Sequence, residues 1–203
     1  MEIIGRLGMA FGPAWASGIN LYAMVATLGL LGRFGGLSLP GDLQILTNKW
    51  VIGAAAVLYC VEFIADKIPY LDSIWDLVHT FLRVPAGAIV AAASMGDFNR
   101  PVQIVAFLVG GGLALSSHGS KAATRAVLNL SPEPFSNILA SLIEDVLAIG
   151  TTLLALFAPV LILIVVTIAF GVTVWLFPKI VRLASKTFSS ARRFIFRQHA
   201  VAG

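Results

Sequence analysis

Ser116, Ser117 and His118, with Lys121 and Arg125 close behind, interrupt apolar sequence that runs from Val102 and resumes at Phe135. Serine, histidine and a distant acid are the parts of a hydrolytic triad. No G-x-S-x-G elbow supports that use here, so His118 reads better as a hydrogen bonder between helices or a member of a proton relay. His79 and His199 fall near expected interfaces, and no H-E-x-x-H pattern or cysteine cluster suggests a metal. "VGGGLA" (109–114) lies within an apolar run and suits close helix contact rather than a phosphate cradle. Neither an enzyme nor a cofactor is expected.

The acids give a second pattern. In "VEFIADKIPYLDSIWDLVHTFLRV" (61–84), Glu62 and Asp66 stand four apart on one helix face, Lys67 comes next, and Pro69 stops the helix. Ser131 with Pro132 starts another helix, and Glu144 and Asp145 sit two to three turns inside it among leucine, isoleucine and valine. Lys121 and Arg125, also four apart, are the available partners. Charges at membrane depth cost about 2.5–3.5 kcal/mol each, so they face the bundle interior and pair. The expectation is a buried network of Glu62, Asp66, Lys121, Arg125, Glu144 and Asp145. Such a network either fastens helices together or lines a path for an ion, proton or small charged solute. On the second reading Ser17, Asn20, Ser116, Ser117 and His118 contact what passes.

The elements that must position these residues are transmembrane. The chain has 203 residues, of which 58% are hydrophobic and 12% charged, and its mean hydropathy is +0.91. Soluble domains carry about 25% charge. Runs near 20 residues, enough to cross about 30 Å of hydrocarbon, fall at 7–31, 49–66, 82–97, 102–125, 135–157 and 160–178. The first contains Pro13 and Asn20 and is too long for a signal-peptide core, so it reads as a retained span. The third is short and rich in alanine and glycine, as for a helix packed among others. Before it, Asp72 reads as an N-cap, and Trp75, Leu77, Val78 and Phe81 as an interfacial segment leading to Arg83. Cys60 is alone, which precludes an intrachain disulfide.

Six spans place both termini on one side. That side collects every lysine and arginine except Arg33, Lys49 and Arg100, so it is expected to be cytoplasmic. The tail 179–203 mixes its cations with Phe188, Phe194, Ile195 and Phe196, the pattern of a basic amphipathic segment on anionic lipid rather than on nucleic acid. So small a bundle encloses little volume, which admits a homo-oligomer.

A shift of one hundred positions pairs "GPAWASGINLYAMVATLGL" (12–30) with "GLALSSHGSKAATRAVLNL" (112–130). Gly12, Ala14, Ser17, Ala23, Ala26, Leu28 and Leu30 then match their counterparts. Two three-span halves, about 1–98 and 100–178, would be inverted repeats, an architecture of secondary transporters whose interrupted helices meet at the midplane. The expected fold is therefore all-α: a polytopic integral membrane protein of about six transmembrane helices in one membrane domain, 1–178, built from two inverted three-helix repeats. Its expected work is transport or permeation of a small ion or charged solute. A non-transporting scaffold or lipid-binding assembly factor is the alternative.

The stretches "ADKIPYLDSIWDLVHTFLRVPAGAIVAA" (65–92), "SSHGSKAATRAVLNLSPEPFSN" (116–137), "SLIEDV" (141–146) and "ASGINLY" (16–22) resemble the membrane family catalogued as domain of unknown function 4126. The likeness covers about residues 5–180. It implies a small multi-span protein of bacterial type, in the inner membrane, and carries over no substrate or catalytic residue.

Overall fold

The computed structural model describes residues 2–68, 70–129, 134–176 and 178–179, and every regular element among them is a helix. In order these are α1 (Glu2–Phe34), a 3-10 helix (Gly41–Thr47), α2 (Lys49–Ala65), α3 (Leu71–Ser94), α4 (Arg100–Leu128) and α5 (Pro134–Phe157). α6 (Pro159–Leu176) comes directly after α5. Five helices are long and apolar enough to cross a membrane, and the 3-10 helix with α2, bent by 71°, makes up to six. The protein is a polytopic helical membrane protein.

α1 is not one rod. At Asn20 the backbone leaves helical geometry, with φ −145° and ψ 99°. The Asn20 side chain then caps the second half of α1, its Oδ1 accepting from the Ala23 amide at 2.9 Å. A straight helix rises about 1.5 Å per residue, which would carry Phe34 more than 40 Å from Glu2. Instead Leu37, Ser38 and Pro40 line one cleft with Glu2, Arg6 and Met9. Residues 2–19 descend into the bundle and 21–34 return to the same end, a hairpin with Asn20 at its tip.

The other helices pack around this hairpin. α3 runs antiparallel to its first half: Ser94 donates to Met9 O at 3.0 Å, and Ser17 to Arg83 O at 3.3 Å. α4 descends beside it, with Ser117 donating to Trp15 O at 2.6 Å. Gly18 allows that approach, because a Cβ there would collide with Ser117 Oγ and Ala114 O. α5 ascends from Asn137 to Phe157, and α6 turns back down after Ala158. A Cβ on Gly12 would meet both Ala155 of α5 at 2.8 Å and Ile162 of α6 at 2.9 Å, while Thr173 further along α6 reaches Ser120 of α4 at 3.0 Å.

Several expectations change. The first span is a re-entrant hairpin, because Asn20 ends one helix and caps the next. Its return places Glu2 beside Leu37, Ser38 and Pro40, whereas Thr173 near the end of α6 lies beside Ser120 of α4, toward the other end of the bundle. The third span starts at Leu71, well before residue 82. Its supposed interfacial stretch is helical and inside out: Asp72, Asp76, His79 and Arg83 are buried, while Phe81 is 79% and Leu77 69% exposed along the flank. In lipid the apolar face points outward, so amphipathicity marks the buried side by its polarity. The repeat segments also differ in course, since α4 passes through Ser120 unbroken where α1 reverses. Pro69, the start at Ser131 and Pro132, and the tail beyond Lys179 with His199 lie outside the described residues.

Candidate functional site

Arg83 and Glu144 lie near the midpoints of α3 and α5, whereas Asp72 occupies the first turn of α3 and Arg125 the last turn of α4. The polar side chains between them form a column from mid-bundle to the end where α3 begins and α4 stops. Arg83, fully buried, grips Glu62 of α2 at 2.6 Å and Asp76 of its own helix at 2.7 Å. Lys121 sits among carboxylates, 2.9 Å from Asp66, 3.3 Å from Asp76 and 3.5 Å from Glu144. Its Nζ also donates to Ile19 O, at the end of α1's first half, at 3.3 Å. Arg125 clasps Glu144 with two bonds of 3.0 and 2.6 Å and donates to Asn137 Oδ1 at 2.9 Å. Its Nη1 stands 3.6 Å from Asp72.

The histidines are spoken for. Arg83 Nη1 can only donate, so His118 Nδ1, 3.3 Å away, accepts, and the ring proton on Nε2 goes to Thr80 Oγ1 at 2.7 Å. His79 donates from Nδ1 to Trp75 O at 2.8 Å, and its Nε2 pairs with the Tyr22 hydroxyl at 3.0 Å. Both rings are thus bonded into the network. Ser17 and Ser117 donate to backbone carbonyls, at 2.7 Å to Ala14 O and 2.6 Å to Trp15 O, and act as ties between α1, α3 and α4. Ser116 is half-buried, and its hydroxyl has no hydrogen-bond partner among the described residues.

Of the six residues expected to form a charge network, Glu62, Asp66, Lys121, Arg125 and Glu144 meet directly. Asp145 stands aside, bonded instead to Asn20 Nδ2 at 2.9 Å. Lys67, in the turn after α2, donates to Phe63 O at 2.9 Å and Ser141 Oγ at 3.2 Å. Burial holds its ammonium below the usual lysine range, against an upward pull from Asp145 and Asp66.

Sequence reasoning did not place Asp72, Asp76, His79, Arg83 or Asn137 in the network. The first four carried a signal, for 72, 76, 79 and 83 is a stripe at helical spacing. Among the described residues, six buried carboxylates (Glu62, Asp66, Asp72, Asp76, Glu144, Asp145) face three buried cations (Arg83, Lys121, Arg125). Glu62 Oε2, Asp66 Oδ1, Asp76 Oδ2 and Asp145 Oδ2 are buried without a hydrogen-bond partner among the described residues. Chemically, this is a site with room for positive charge. No group of three or more histidine, cysteine or acidic residues is placed to hold a metal ion among the described residues.

The family model described as Domain of unknown function (DUF4126) matches residues 7–179. No curated protein and no solved structure matches the chain.

Proposed function

We propose a transport function for this chain, which belongs to the domain of unknown function 4126 family: it moves a small ion or charged solute through the polar column at the tip of the broken helix α1. The observation that carries this reading is the break itself. A reversal at Asn20 inside the bundle opens helical hydrogen bonding where unpaired backbone is costly, and such breaks are tolerated where they line a binding site or cavity. The surplus of buried carboxylates opposite the break supports a cationic passenger or coupling ion. The two segments related by the hundred-residue shift face each other here, Gly18 of α1 against Ser117 of α4. Both segments descend from the end of the bundle where Glu2 lies, so the halves share a direction at this contact and an inverted relation is no part of the proposal.

The natural setting is a bacterial inner membrane with the end bearing Lys67 and Lys179 in the cytoplasm, because the remaining tail cations continue from there. Anionic lipid is the proposed partner of that tail, with no nucleic acid, cofactor or catalysis involved.

Flux into proteoliposomes across a panel of protons, alkali cations and small charged solutes tests the function. Wild type is expected to exceed empty liposomes for at least one member, and Asn20→Leu, folded by size exclusion, to abolish it. Wild-type flux equal to that of empty liposomes throughout would overturn transport. The second reading, a scaffold fastened by charge, draws on Arg125, whose two bonds to Glu144 and one to Asn137 resemble a structural clamp.

A further inference from the structure

Five of the six buried carboxylates have a cation within ion-pair reach: Glu62 and Asp76 hold Arg83, Asp66 holds Lys121, and Asp72 and Glu144 hold Arg125. Asp145 has none among the described residues. It is 6% exposed, lies near the middle of α5, and points at the tip of the α1 hairpin, where Asn20 Nδ2 donates to Oδ1. Among the described residues Oδ2 is buried with no partner within hydrogen-bond distance. An ionised carboxylate at membrane depth, with the neutral donors Asn20 and Tyr59 beside it and no cation in ion-pair reach among the described residues, is among the costliest groups a bundle can hold. Neutralisation by a proton removes that cost.

We propose that Asp145 is a proton-binding site, loaded at neutral pH, and that it carries the proton through the path. This names the coupling ion of the transport function above and rests on that reading. The groups facing Asp145 fit the assignment. Asn20 comes from α1, Tyr59 from α2, Asp66 and Lys67 from the turn after it, and Lys121 from α4. Both lysines are committed elsewhere, Lys121 to Asp66 and Lys67 to Phe63 O and Ser141. Oδ2 is where the proton enters and leaves. Asn20 is the residue at which α1 leaves helical geometry, and its amide joins the cap of the returning half to the Asp145 carboxyl, so the break is coupled to whether that group is an acid or a carboxylate.

Two measurements test this on the full chain. Infrared spectroscopy of reconstituted protein reads the carbonyl stretch of protonated carboxyl groups directly. A band sensitive to heavy water is expected at neutral pH in wild type, absent from Asp145→Asn and retained in Asp145→Glu. Proton uptake, followed with a trapped pH-sensitive dye, is expected to fall to the empty-liposome level in Asp145→Asn and to persist in Asp145→Glu. A band unchanged by Asp145→Asn overturns the proposal whatever the flux. A band removed by added sodium makes the site a sodium site and overturns it equally. Loss of the band with undiminished proton flux rejects the carrier role. A wild type that moves nothing overturns transport and the carrier role together, while the band alone still decides whether Asp145 holds a proton.

Discussion

Arg83 balances two carboxylates from two helices, so its loss leaves Glu62 and Asp76 both uncompensated. Removing one partner of a buried ion pair costs about 3–5 kcal/mol, and Arg83→Ala is expected to lower stability by at least that much, read as the unfolding midpoint in detergent. Asp145→Asn should leave the midpoint nearly unchanged, because an amide resembles a protonated acid and strands no cation. Equal losses in the two variants would mean that Asp145 is ionised and paired in solution. At this scale the sequence was legible where charges interrupted a long apolar run: Glu62, Asp66, Lys121, Arg125 and Glu144 could hardly lie anywhere but inside. It misled where charges were dense enough to suggest water. Asp72, Asp76 and Arg83 looked interfacial because Trp75, Leu77 and Phe81 stood between them, yet Leu77 and Phe81 face outward.

α1 and α4 illustrate how elements are set by small residues. A methyl group on Gly18 meets Ser117 and the Ala114 carbonyl, whereas one on Gly53 of α2 meets nothing. Gly18→Ala is therefore expected to lower the unfolding midpoint and Gly53→Ala to leave it unchanged or raise it, by about 0.5–1 kcal/mol from helix propensity alone. Asn20→Ala removes the cap of α1's second half, worth about 0.5–2 kcal/mol, together with the donor to Asp145. Loss of stability without change in flux would assign Asn20 to the hairpin alone. The sequence marked helices reliably, since apolar runs and prolines are local features. It offered no means of telling a polar residue within a span from a reversal of the span, because "SGIN" and "SSHGS" look alike and only the first breaks.

For the whole molecule, the hairpin decides sidedness. With α1 folded back, Ser38 and Arg100 lie at the end where the chain begins, and Lys67 and Lys179 at the other. Single cysteines at these positions, in a Cys60→Ser background, should label from opposite faces of sealed vesicles, Ser38→Cys and Arg100→Cys on one and Lys67→Cys and Lys179→Cys on the other. Glu2→Cys is the discriminating position: the hairpin places it on the face of Ser38→Cys, and its labelling from the face of Lys179→Cys instead would restore six crossings. By itself the sequence determined that the chain is a helical membrane protein with charges buried in it, because transfer of side chains between water and lipid is a local, additive property. Only the tertiary structure decided which cation meets which carboxylate, that Asp145 has none in ion-pair reach among the described residues, and that the first helix doubles back at Asn20. Those outcomes depend on where separate helices stand relative to one another, and on what the Asn20 side chain finds when it arrives.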